Sequence, residues 1–196
     1  GVGRVKSEPQ ATSLPLLFRA LSFAADHHRF GRRKGEEASP YINHPIDVAA
    51  ELAEVGVTDH EILSAALLHD TLEDTDATPA DLEREFGPRV RRLVEALTDD
   101  PNLASRERKQ LQLERAGGLE TDAKGIRIAD KICNAHDVGF LPAQGWSLDR
   151  RREYLDWTKQ VVDRCKGSLP ALDARYETVL VEARAQLDTE HRRDPS

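Results

Sequence analysis

Three stretches of the chain carry side chains able to hold a cation. In Ala65-Ala66-Leu67-Leu68-His69-Asp70 a histidine and an aspartate stand together at the end of an apolar helical run. In Pro40-Tyr41-Ile42-Asn43-His44-Pro45 a second histidine precedes a helix, and in Ile128-Ala129-Asp130-Lys131-Ile132 a carboxylate interrupts an apolar helical face. Neighbouring helix residues point about 100° apart, yet His69 and Asp70 can both reach one ion lodged at a helix interface. Imidazole nitrogen with carboxylate oxygen suits a borderline or hard divalent cation such as Mn²⁺, Fe²⁺ or Zn²⁺. Asp130 needs a partner, because burying an unpaired charge is costly. By itself it reads equally as a salt bridge to Lys131 or a nearby arginine, and His44 as a capping or core histidine. Glu73 and Asp74 follow His69 and Asp70 one helical turn along the same faces. Beside a cation, two carboxylates can divide the proton transfers of a hydrolysis; alone they form an acidic surface turn that Asp76 continues.

Further residues suit an anionic ligand. Arg32-Arg33-Lys34 makes a basic patch upstream of His44. Forked guanidinium donors match phosphate and lysine adds a point charge, although the same run also serves as a solvated loop. Asn134 lies one turn beyond Asp130 on the same face. Arg150 and Tyr154 sit one turn apart on a later helix, a spacing that also decorates a solvent face or the edge of a core.

The elements that must position these groups read as helices throughout, with no alternating strand, so an all-α bundle of about eight to ten helices is predicted. Leu17, Leu21, Ala24 and Ala25 make one stripe of a helix from Leu16 to about Arg29, followed by a polar loop over 31–39. Pro45 fits the first turn of a helix through Val55, which puts His44 at its entrance, and Gly56 ends it. Asp59 is the expected N-cap of one helix running to about Asp74, with the acidic cluster at its end. Thr78-Pro79 with Glu83 opens a short helix that stops near Gly87, and Pro88 opens another carrying Val90, Leu93, Val94 and Leu97. Helices are expected over 104–116, 124–138, 147–165 and 168–187. Residues 1–13 and 188–196 read as flexible ends around a single domain, 14–187.

Composition limits the possible roles. At 196 residues with 39% hydrophobic and 32% charged side chains, the chain can bury a core of its own, filled mainly by aliphatic groups because aromatics are only 5%. Cys133 and Cys165 follow neither a zinc pattern nor a disulfide framework, which suits a reducing compartment. No stretch approaches the roughly 20 apolar residues that span a bilayer and no secretory leader is visible, so a cytoplasmic protein without a membrane partner is expected. A net charge of −7 argues against a general nucleic-acid binder but leaves room for a small polyphosphate met by a local basic patch. A homo-oligomer stays open.

The order His44, His69-Asp70, Asp130 resembles that of the HD-domain phosphohydrolases. More narrowly, the chain is similar to the small alarmone hydrolases of the RelA/SpoT superfamily, including its metazoan SpoT homologues. The stretches that carry the likeness are Arg32-Arg33-Lys34, Pro40 to Pro45, Leu67 to Thr75, Glu107-Arg108-Lys109, Ala129 to Asn134 and Gly145-Trp146-Ser147. The resemblance implies one HD-domain helical bundle holding a single Mn²⁺ on His44, His69, Asp70 and Asp130. It implies hydrolysis of ppGpp or pppGpp to GDP or GTP plus pyrophosphate, with Glu73 and Asp74 catalytic. Arg33, Lys34, Asn134, Arg150 and Tyr154 match positions near the bound nucleotide. Where the metazoan relatives have a lysine this chain has Ser105-Arg106, so Arg106 is the expected substitute. The superfamily's synthetase half is not found, and hydrolysis without synthesis is expected. Two alternatives are an HD phosphatase acting on another nucleotide such as NADPH, and a module that binds the alarmone without cleaving it.

Overall fold

A computed structural model describes residues 14–35 and 37–194, and among these the regular structure consists of ten helices. In chain order they are α1 (Leu14–His27), α2 (Asn43–Glu54), α3 (His60–Leu68), α4 (Thr71–Asp74) and α5 (Pro79–Phe86). Then follow α6 (Pro88–Leu97), α7 (Ser105–Ala116), α8 (Thr121–Phe140), α9 (Leu148–Cys165) and α10 (Pro170–Arg193). The expected all-α architecture is what the described residues form.

Local chemistry explains most helix starts. The Asp59 carboxylate accepts from the N–H groups of Glu61 and Ile62 and opens α3. Thr78 and Asp81 cap α5 reciprocally, and the Ser147 hydroxyl accepts from Arg150 N–H at the start of α9. Pro79, Pro88 and Pro170 occupy first turns, where a missing N–H is no loss. Gly87, at φ 87°, lets the chain turn directly from α5 into α6.

Helix α8 is the axis of the bundle and packs against α2, α3, α6, α9 and α10. Thirteen of its residues are buried, among them Arg127, Asp130 and Lys131, which is why its hydrophobic pattern does not resolve into one stripe. The other deep helix is α3, whose residues from Leu63 to Leu68 are all buried and which lies against α1, α2, α6 and α8. Its alanines let backbones approach closely. On the far side a Cβ at Gly139 would lie 2.7 Å from the Ala183 Cβ, so α8 and α10 touch nearly backbone to backbone. Arg151, 3% exposed, donates to the carbonyls of Val138 and Gly139 at the end of α8 and pairs with Glu190 of α10.

Several boundaries differ from the sequence expectation. The helix opened by Asp59 does not run unbroken to Asp74. At His69 and Asp70 it turns, with the His69 imidazole and the Thr71 hydroxyl taking the carbonyls of Ala66 and Leu68, and α4 resumes for a single turn. Helix α8 begins at Thr121, before Lys124. Helix α10 continues past Leu187 to Arg193, held by the Arg151–Glu190 pair, so the expected frayed tail from Asp188 is helical to that point. The expected flexible segment 1–13 lies outside the described residues.

The polar loop after α1 is pinned on both sides. Arg32 and Pro40 bridge within it, Gly35 bridges to Ala143, and the Gln144 N–H reaches the Lys34 carbonyl. A basic loop that cannot bury itself is thereby laid against the α8–α9 connection.

Candidate active site

Three parts of the chain deliver the predicted cation ligands to one place. His44 comes from the first turn of α2, His69 and Asp70 from the turn between α3 and α4, and Asp130 from the middle of α8. The His44 Nε2 lies 3.0 Å from Asp130 Oδ1 and 3.7 Å from Asp70 Oδ2. The His69 Nε2 lies 3.2 Å from Asp70 Oδ2 and 3.6 Å from Asp130 Oδ1. His44, His69 and Asp130 form the compact buried set, and Asp70 stands outside it on the more open side, 3.2 Å from His69.

This arrangement fits a divalent cation. Ligands bonded to one ion at about 2.1 Å lie about 3.0–3.4 Å apart, close to the spacing found here. The His69 Nδ1 is within 2.6 Å of the Ala66 carbonyl, a contact that requires the proton on Nδ1 and turns the Nε2 lone pair inward. That Nε2 is buried with no hydrogen-bond partner. Electrostatics agree. Burial opposes charge on His69, but Asp70 and then Asp130 outweigh it and push the imidazole up to about 10. Burial also opposes ionisation of Asp70, yet His69 and then His44 hold its carboxyl well below the usual range. Asp130 is held low against burial by Lys131, His44 and His69. Two carboxylates that force a proton onto a buried imidazole mark a place where positive charge is favourable, and a divalent ion meets that demand better than a proton.

The neighbours orient these ligands. The Tyr41 hydroxyl donates to Asp70 Oδ2 at 2.6 Å, and Asn134 Nδ2 donates to Asp130 Oδ1 at 3.0 Å. Lys131 Nζ donates to Asp130 Oδ2 at 3.0 Å, with Arg127 at 3.8 Å from the same oxygen. One Asp130 oxygen therefore takes the buried cations, as its salt-bridge reading expected, and the other faces the histidines.

Glu73 and Asp74 stand on the single turn of α4. Glu73 Oε1 accepts from Arg108 at 3.0 Å, and Oε2 accepts from the Asp99 N–H at 3.3 Å. Burial first, then the charges of Asp99, Asp70 and Asp74, push Glu73 up to about 7 despite that arginine. Asp74 is raised by burial and by Asp70, with Tyr41 and Arg108 working against the rise.

Arg33 donates to Asp137 of α8 at 2.6 Å and lies over the Tyr41 ring, while Lys34 is exposed. Arg150 stacks over Trp146 at 4.2 Å, and Tyr154 sits between Trp146 and Trp157 at 5.5 and 5.3 Å. Lys131 lies 4.4 Å from the Trp157 ring, which joins this aromatic wall to Asp130. Arg106 lines a groove of about 400 Å³ with Ser105, Lys109, Gln110 and Trp157, at the outer end of that wall. Three residues within the motif stretches make contacts to which the sequence assigned no role: Tyr41, Arg108 and Lys109, whose Nζ lies 4.9 Å from the Tyr154 ring. Their partners are distant in sequence, so no local spacing announces them.

Comparison with known proteins matches residues 20–150 to the HD domain. The chain is 50% identical over 153 residues, 78% of its length and 86% of the relative's, to human guanosine-3′,5′-bis(diphosphate) 3′-pyrophosphohydrolase MESH1. It is 41% identical to the Danio rerio MESH1 over 177 residues, 90% of this chain and 98% of that one. A solved structure of a metazoan ortholog of SpoT, described as hydrolysing ppGpp and acting in starvation responses, superposes with a TM-score of 0.83 at 40% identity. That match covers 90% of this chain and 97% of the other.

Proposed function

The chain belongs to the HD-domain family, alongside the MESH1 proteins, and from that membership we propose that it hydrolyses the 3′-pyrophosphate of ppGpp or pppGpp, releasing GDP or GTP and pyrophosphate. The observation that carries this reading is the convergence of His44, His69 and Asp130 with Asp70 around one cation-sized space, with Glu73 and Asp74 one turn away. His44, His69, Asp70 and Asp130 would hold Mn²⁺, which when bound would supply Lewis-acid polarisation of a phosphoryl oxygen and a lowered water pKa. Glu73, pushed up to about 7, takes a proton from the water that attacks the 3′-phosphorus. As that water's oxygen bonds to phosphorus, the bond from phosphorus to the ribose 3′-oxygen breaks, and the 3′-oxygen gains a proton. Asp74 stands beside Glu73 to share the proton transfers. Arg33 and Lys34 offset the charge of the pyrophosphate, Asn134 steadies Asp130, and Arg106, Arg150 and Tyr154 flank the nucleotide. Both cysteines are free and buried, in keeping with a reducing cytoplasm.

Product analysis with ppGpp and Mn²⁺ tests the reading. The native protein should release pyrophosphate, Asp130→Ala should lose both metal and turnover, and Glu73→Gln should keep metal but lose turnover by about a hundredfold or more. Orthophosphate released from NADPH in place of pyrophosphate from ppGpp would move the protein to the phosphatases. Tight binding of ppGpp that survives incubation would make it a binding module.

A further inference from the structure

Helix α4 is one turn long, and a single turn has little stability of its own, so its backbone does not by itself fix where Glu73 points. Two contacts from outside do. The Asp99 N–H meets Oε2, and the Arg108 guanidinium meets Oε1. Asp99 is itself held by the Gln112 amide at 2.8 Å, one turn beyond Arg108 on α7. A single face of α7 thus grips Glu73 directly and through Asp99. Helix α7 is fastened in turn to α9, where the Trp157 indole N–H donates to the Lys109 carbonyl at 3.1 Å.

We propose that Arg108 is a positioning residue that aims the Glu73 carboxylate and keeps it ionised for catalysis. The proposal rests on Glu73 acting as the proton acceptor. The charged groups facing Glu73 are Asp70 and Asp74 from its own segment, Asp99 from the loop after α6, and Arg108 from α7. Three are carboxylates, and Arg108 is the cation that balances them; it also lowers Asp74. Its Nε is buried without a hydrogen-bond partner, a cost expected where a side chain is oriented for one particular contact. Without Arg108, Glu73 stands among like charges and ionises only at higher pH.

The test is the pH dependence of ppGpp hydrolysis by the Mn²⁺-loaded full chain, comparing the native protein with Arg108→Gln, Arg108→Lys and Glu73→Gln. Arg108→Gln is expected to lose about tenfold in kcat near neutral pH with KM little changed, and to regain much of it in alkali. Its acidic limb should move up by about one pH unit, and Arg108→Lys should return the limb most of the way. Thermal unfolding and Mn²⁺ binding, read separately, should stay near native. A folded Arg108→Gln protein whose limb does not move overturns the proposal, whatever its kcat, because a structural role alone lowers rate without shifting titration. Glu73→Gln retaining native turnover overturns the reading beneath it. An inactive Glu73→Gln with an unmoved Arg108→Gln limb sinks the positioning role alone.

Discussion

Between about pH 5 and 8 the Glu73 carboxyl changes charge, and its surroundings decide in which direction that matters. Its ordinary value of 4.5 is pushed up to about 7 by burial and by Asp99, Asp70 and Asp74. The folded chain therefore binds this proton more tightly than the unfolded one, and the contribution of Glu73 to stability declines as pH rises from the ordinary value through 7. Activity should run the opposite way, because only the carboxylate accepts a proton. The rate of ppGpp hydrolysis is expected to climb as pH passes 7 and then level off, and a rate already level at pH 5.5 would contradict the role given to Glu73. The cysteines behave differently. Burial pushes the Cys133 thiol far above its ordinary range, so it is a packing residue and no nucleophile.

Among the elements, α8 has the least freedom. It carries Asp130 at the site and Gly139 at the far end, where the backbone lies against Ala183 of α10. Gly139→Ala would place a Cβ 2.7 Å from the Ala183 Cβ, so the two helices must separate. A loss of about 1–3 kcal/mol is expected in urea denaturation. Asp130 is roughly 13 Å away along the helix, so the protein that remains folded should keep its turnover. The break between α3 and α4 is the second element-scale feature. An unbroken helix would stack Glu73 and Asp74 one turn above the ligands. At the break the carbonyls of Ala66 and Leu68 are taken by His69 and Thr71, and Arg108 of α7 meets Glu73 on the single turn that follows.

At the scale of the whole molecule, two histidines and the Asp130 carboxylate are buried where α2, the α3–α4 turn and α8 meet, with the half-buried Asp70 beside them. An ion that binds there and not in the unfolded chain stabilises the fold by about 2.7 kcal/mol at a hundredfold excess over Kd, roughly 5–10 °C in Tm for a chain of this size. Thermal denaturation with Mn²⁺ and with a chelator should show this difference in the native protein and not in Asp130→Ala; equal Tm values in the native protein would remove the cation from the site. Much of this was legible without coordinates. The caps at Asp59 and Ser147 and the prolines at 79 and 88 act within a turn of their own positions, so sequence alone determined where those helices begin. It also determined the donor types at positions 44, 69, 70 and 130, whose chemistry belongs to the residues themselves. Only the tertiary structure decided which Asp130 oxygen faces the histidines, that Tyr41 restrains Asp70, that Arg33 meets Asp137 and that Arg108 meets Glu73. These pairs stand 29 to 104 residues apart, and what brings them together is the burial of α3 and α8 among their neighbours. Packing of that kind depends on the whole chain at once, and no local spacing encodes it.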